Sequence, residues 1–192
     1  QWVSVSALSD TKAIVVYNNK ATTYKGTANV LSISGTTVTV GAAEIFESHI
    51  IEYITVAALS DTKAIAVYQD LEASNRGTSV VMSISGTTIS SGARAVFNTS
   101  NISYTEVAKL TSTKAIVVYR GAASAYDGYA NVLDVSGTTI TAGTSTVFES
   151  GKAKLLGVDR LSDTKAITAY VDDSNSNYGT VCVLGCLLYT SP

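Results

Sequence analysis

One tandem repeat accounts for almost all of this chain of 192 residues. The segment Leu8–Ile14, read as Leu-Ser-Asp-Thr-Lys-Ala-Ile, recurs unchanged at Leu59–Ile65 and Leu161–Ile167 and with two changes at Leu110–Ile116. Each step is 51 residues, and a Ser-Gly-Thr-Thr segment, a glycine and a phenylalanine keep the same spacing. Because chance does not hold so many positions in phase, the chain must fold as copies of one supersecondary unit.

Each repeat has the pattern of four β-strands joined by turns. In the second repeat the strands are predicted at about Ile54–Leu59, Lys63–Tyr68, Thr78–Ser85 and Thr88–Phe97. The second strand is apolar without alternation, which is typical of a strand buried on both faces. Ser-Asp-Thr and Ser-Gly-Thr segments supply the turns after the first and third strands. The repeat therefore predicts an antiparallel four-stranded meander.

We expect an all-β, β-propeller-like array of such four-stranded blades, because a blade buries its middle strands between its neighbours. The chain would be a single repeat domain, 1–192. Its complete repeats are unit 1 (residues 2–52), unit 2 (53–103) and unit 3 (104–154), and a partial unit 4 covers 155–184.

The repeat pattern stops abruptly after Leu184. The run Cys186-Leu-Leu-Tyr-Thr-Ser-Pro192 resembles translated sequencing-adapter read-through, so residues 185–192 are expected to be a non-native tail and the natural protein to continue. The alternative is a natural terminus that caps the last unit.

Composition excludes several classes of function. Net charge is −2 with no cluster of Lys or Arg, so a nucleic-acid-binding surface is not expected. No apolar run reaches the roughly 18 residues of a membrane span. The chain has two cysteines, Cys182 and Cys186, both near its C-terminus, and one histidine, His49, interpreted as a surface residue. Because no nucleophile elbow, metal-binding His pair or phosphate loop occurs, we predict no enzyme activity, no cofactor and no metal.

The motifs Thr-Lys-Ala-Ile-x-x-Tyr, Gly-Thr-Ala-Asn-Val-Leu-x-Ile-Ser-Gly-Thr-Thr and Val-Phe-Glu-Ser resemble a family of repeats of about 50 residues. That family occurs in bacterial, metagenomic and phage-associated proteins whose function is largely unassigned. The resemblance extends to Leu184 and implies a propeller or propeller-like array, without implying a particular chemistry.

Variation between the repeats is concentrated at one end of the predicted meander. The loops after the second strands differ strongly between units, which indicates either a binding surface or unconstrained drift. These loops carry tyrosines near amide and carboxylate groups, an arrangement that suits a polar ligand such as a sugar. The candidate ligand-binding residues are Tyr24, Tyr126, Tyr178, Asn19, Asp70, Asp172 and Asn175.

Three functions stay open at this point. The first is a binding module for glycans or cell-surface polymers, extracellular or surface-associated. The second is a structural or scaffold repeat protein, and the third is an enzyme assembled from single-copy residues. An incomplete array also exposes strand edges and apolar blade faces, so we expect self-association.

Overall fold

The protein is all-β in the part of the chain that the structure describes. The computed structural model describes residues 1–122 and 126–185. Within them the only helical segments are two single 3₁₀ turns, Lys20–Thr22 and Leu71–Ala73. The strands are arranged in antiparallel sheets. The predicted all-β class is confirmed.

The strands follow the repeat closely. The first part of the chain contains β1 Val3–Ser9, β2 Lys12–Asn19, β3 Lys25–Ser34, β4 Thr37–Val40 and β5 Glu44–Ser60. Unit 2 continues with β6 Lys63–Asp70, β7 Arg76–Ser85, β8 Thr88–Ser91 and β9 Ala95–Asn98. Unit 3 has β10 Ile102–Thr111, β11 Lys114–Gly121, β12 Gly128–Ser136, β13 Thr139–Ala142 and β14 Thr146–Glu149. Unit 4 has β15 Ala153–Ser162, β16 Lys165–Asp172 and β17 Tyr178–Gly185.

The fourth strand of a unit is broken in two, which corrects the prediction of one strand over Thr88–Phe97. In unit 2, β8 pairs with the second half of β7 and β9 pairs with its first half. Between them the amide of Gly92 donates a hydrogen bond of 2.8 Å to the carbonyl of Val81. This bond is the last of the β8 ladder, since Gly92 stands opposite Val81 in the β8 register. Pairing resumes in β9 with Ala95 opposite Ser79, which is one residue out of that register.

In the two inner units the second strands, β6 and β11, are buried on both faces, as their unbroken apolar pattern predicts. In units 1 and 4 the outward side of the second strand is not buried, which corrects the same prediction for β2 and β16. In β6, Ala64 and Ala66 belong to an apolar cluster shared with unit 1. Ile65 and Val67 belong to a cluster shared with unit 3. A further cluster joins units 3 and 4. Successive units therefore pack face to face, and their cores lie between the sheets.

The first strands of the four units, β1, β5, β10 and β15, lie side by side along one edge of this stack. Strand β5 links two units, since its first residues pair with β3 and its last residues pair with β6. The outward faces of the first and last units stay exposed, so the described sheets do not close on themselves.

Within the described residues, no helix has the length and apolarity needed to cross a lipid bilayer. Apart from Gly185, the predicted non-native tail lies outside the described residues.

Candidate functional site: an aromatic cleft at the loop end

Two of the predicted ligand-binding residues support their own loops instead. Asn19 Oδ1 accepts a hydrogen bond of 3.0 Å from the amide of Ala21 and caps the first 3₁₀ turn. Asp172 Oδ1 accepts bonds from the amides of Ser174 and Asn175 and from the Ser174 hydroxyl. These oxygens therefore serve the turns, and the role of the two residues in ligand binding stays a prediction.

Asp70, a third predicted ligand-binding residue, has a fully buried side chain. Its Oδ1 lies 2.9 Å from Nδ1 of His49, and its Oδ2 lies 3.6 Å from the guanidinium of Arg76. The His49 side chain is 32% exposed, so it is a surface residue whose partner Asp70 is buried. Both residues belong to an internal ion-pair network.

The three loop tyrosines are exposed to solvent, as a binding role requires. Tyr24 and Tyr126 have positive φ angles, of 63° and 69°, which turn the chain at the ends of their loops. Tyr178 begins β17, and its amide bonds to the carbonyl of Asn175. Among the described residues, no ring contact joins these three tyrosines to one another.

A row of aromatic rings runs across the starts of the first strands, at the same end as the variable loops. The ring of Trp2 lies 4.4 Å from that of Tyr53, and Tyr53 lies 5.1 Å from Tyr104, between centroids. All three rings are partly exposed. In the sequence these residues stand in register and suggest packing; their contact across three units is visible only in the fold.

Backbone bulges place two of these rings. Tyr53 and Tyr104 have φ angles of 49° and 51°, a conformation that bulky residues rarely adopt. Each lies where the pairing register of its strand shifts, in β5 and β10 respectively. A β-bulge redirects a side chain away from the regular alternation of a strand. The same bulge recurs at Leu155 in unit 4, so it is a feature of the repeat, and in units 2 and 3 it carries a tyrosine ring.

Arg120 extends the aromatic row to the loops. Its guanidinium carbon lies 4.6 Å from the ring centroid of Tyr104 and 4.8 Å from that of Tyr126. Its Nε donates a hydrogen bond of 2.9 Å to the hydroxyl of Ser103. One predicted loop residue, Tyr126, is therefore joined through a cation to the row that sequence reasoning missed.

The rings of Trp2, Tyr53 and Tyr104 line a cleft of about 330 Å³. Its wall also includes Thr55 and Glu106, which supply polar groups among the rings. The hydroxyl oxygen of Thr55 is buried without a hydrogen-bond partner among the described residues. A buried hydroxyl without a partner is uncommon in proteins and can bond to a ligand or a water molecule.

Glu106 is the titratable group of this cleft. Burial raises its pKa from 4.5 to about 7, because the half-buried carboxylate loses hydration without gaining a cation. The side chain therefore changes charge near neutral pH. Its equivalents in the other units are Ser4, Thr55 and Gly157, so repetition in the sequence gives no signal for it.

Stability should fall as Glu106 ionises. The carboxyl group holds its proton more tightly in the folded state, so the folded state binds more protons than the unfolded state between about pH 4.5 and 7. Unfolding free energy then decreases as pH rises through this window. Comparing thermal unfolding of the wild type and Glu106→Gln across the window should show a flatter profile for the variant. Parallel profiles would contradict the assigned ionisation.

A buried polar network lies between units 1 and 2, away from the cleft. Glu47 is fully buried and accepts a hydrogen bond of 2.8 Å from the hydroxyl of Tyr68. Arg94 also donates to Glu47, and His49 and Asp70 lie beside it. The ligand atoms of Glu47, His49 and Asp70 lie within 4.8 Å of one another. However, guanidinium groups already pair with both carboxylates, so the arrangement fits an ion-pair network better than a cation site.

The hydrogen bond between the Tyr68 hydroxyl and Glu47 has a counterpart at each of the other two interfaces between units. Its counterparts are Asn98 with Tyr119, at 2.9 Å, and Tyr170 with Glu149, at 2.7 Å. Burial and the adjoining Glu47 carboxylate raise the pKa of Tyr68 well above its ordinary value, so the phenol remains a hydrogen-bond donor.

No protein-family model and no curated protein matches the chain. Among solved structures, the chain is similar to a protein of unknown function from Dyadobacter fermentans DSM 18053, with a TM-score of 0.52 and 10% sequence identity. The match covers 83% of this chain and 45% of that protein, so the chain spans less than half of its length. At this identity, the likeness concerns the fold alone.

Proposed function

We propose that the four units are an arc of β-propeller blades and that the protein is a non-enzymatic binding module for glycans or cell-surface polymers. It would act outside the cell or at its surface. The observation that carries the proposal is the row formed by Trp2, Tyr53 and Tyr104 along the cleft. This row lies at the end of the molecule where the loops vary between units.

The cleft has the chemistry that sugar recognition requires. Sugar rings have apolar faces that stack on aromatic side chains and hydroxyl edges that need hydrogen-bond partners. Here the rings stand in sequence along one wall, with the Thr55 hydroxyl and the Glu106 carboxyl beside them. Several rings in line suit an extended polymer better than a single small molecule.

A scaffold function is the second candidate. It is favoured by the apolar clusters that recur between successive units. It is also favoured by the recurring hydrogen bond from a tyrosine hydroxyl of one unit to a glutamate of the unit before it. In that case the repeat would serve assembly and the aromatic row would serve only packing.

Binding to a glycan array tests the first candidate. We expect the intact protein to bind at least one glycan polymer and Tyr53→Ala to weaken that binding by about tenfold or more, since a lost stacking ring is worth about 0.5–1.5 kcal/mol beyond its area. Tyr24→Ala, on a loop outside the cleft, serves as the control and should bind like the wild type.

Other outcomes would redirect the proposal. An equal loss in both variants would place the site on the loops, as the sequence predicts. Failure of the folded wild type to bind any polymer on the array would favour the scaffold function. Turnover of a bound polymer would contradict the non-enzymatic assignment.

A further inference from the structure

The outward surface of unit 1 exposes residues whose equivalents are buried in the other units. We call this surface the first face; it consists of Val3, Val5 and Val38. Val5 is 62% exposed, whereas its equivalent Val56 is 6% exposed against unit 1. Val38 is 55% exposed, whereas Ile89 is 6% exposed in the same cluster. The first face therefore has the composition of an interface between units, and no unit among the described residues packs against it.

The outward surface of unit 4 is the opposite half of such an interface. This last face consists of Leu161, Val181 and Val183, which are 52%, 65% and 59% exposed. Their equivalents Leu8, Ala28 and Val30 lie in the core between units 1 and 2, and each is less than a tenth exposed. In every described pair of units, a surface equivalent to the last face packs on one equivalent to the first face.

We propose that two copies of this chain bind head to tail, with the last face of one copy against the first face of the other. The occupant follows from the repeat: the surface complementary to a first face is a last face, and each copy carries one of each. Contiguous apolar side chains exposed in this way mark an interaction surface. Because the two halves differ, the contact is heterologous and either closes into a ring or extends into a chain of copies.

Single charges on either face test the contact. Val5→Lys and Val183→Glu each place a charge where the contact would bury it, so each should weaken self-association by at least about tenfold in sedimentation velocity. Thr39→Lys is the matched control. It lies on β4 beside Val38, and its equivalents Ser90 and Thr141 remain exposed within the stack, so it should associate like the wild type. Circular dichroism verifies that each variant is folded.

Mixing the two defective variants distinguishes head-to-tail contact from the alternatives. The last face of Val5→Lys and the first face of Val183→Glu are both intact, and the remaining pair brings Lys against Glu. We therefore expect the mixture to associate more strongly than either variant alone. A wild type that stays monomeric at high concentration would overturn the proposal. So would a self-association that only one of the two faces affects, since that result indicates a symmetric contact.

Discussion

Replacing Arg94 with serine should destabilise the protein by about 3 kcal/mol. The substitution removes the guanidinium that pairs with Glu47, whose side chain is fully buried between units 1 and 2. An uncompensated buried charge costs about 3–5 kcal/mol, and the lower end applies because the Arg94 side chain is itself 43% exposed. Urea unfolding followed by circular dichroism measures the difference.

The interface between units 2 and 3 supplies the control for the Arg94 substitution. There Asn98 and Ser145 occupy the positions of Glu47 and Arg94, and both bond to the hydroxyl of Tyr119. The double variant Glu47→Asn with Arg94→Ser reproduces that neutral arrangement, so it should recover most of the stability that the single variant loses. A single variant within about 0.5 kcal/mol of the wild type would contradict a role for this ion pair.

Replacing Gly92 with alanine should cost about 2 kcal/mol. A Cβ atom at this position would lie 2.5 Å from the carbonyl oxygen of Thr138 and 2.7 Å from its Cβ, both in the turn of the next unit. Since backbone cannot move aside as a flexible side chain can, units 2 and 3 would have to separate, and overpacking of this kind costs about 1–3 kcal/mol. Thermal and urea unfolding report the change.

Two other glycines serve as controls, because alanine there adds the same methyl group without the close contact to the next unit. Gly143 occupies the same register in unit 3, but among the described residues the nearest atom to its Cβ would be the Val132 carbonyl oxygen at 3.2 Å. A Cβ at Gly157 would meet nothing within 4 Å in the part of the chain that the structure describes. We expect a cost below about 1 kcal/mol for Gly143→Ala and none for Gly157→Ala, where lower unfolded-chain entropy favours the variant. Equal losses at Gly92 and Gly143 would contradict the close approach between units.

Much of the architecture could be predicted because its signals are local and recur. The unbroken apolar run in β6 predicts burial on both faces, and the clusters on its two sides confirm it. The break in the fourth strand could not be predicted in this way. It is a one-residue shift of register against β7 between β8 and β9, and strand propensity carries no information on register.

The candidate site was less accessible to sequence reasoning. The loop residues Asn19 and Asp172 have the chemistry of ligand contacts, but short-range hydrogen bonds use them to close turns. Conversely, Tyr53 and Tyr104 align as packing residues, and only the bulges in their strands bring their rings together at the cleft. Tyr126 links the predicted loop site to the observed aromatic row, because the Arg120 guanidinium lies over both its ring and that of Tyr104.

By itself, the sequence determined the repeat, the antiparallel units and the end of the molecule at which variation concentrates. These properties follow from the spacing of apolar and turn residues within a unit. Only the tertiary structure decided which side chains meet across units: Glu47 with Tyr68, Gly92 with Thr138, and Trp2 with Tyr53. The physical reason is that such contacts depend on how one sheet stacks on the next, and residues in the same register of different repeats then have different neighbours.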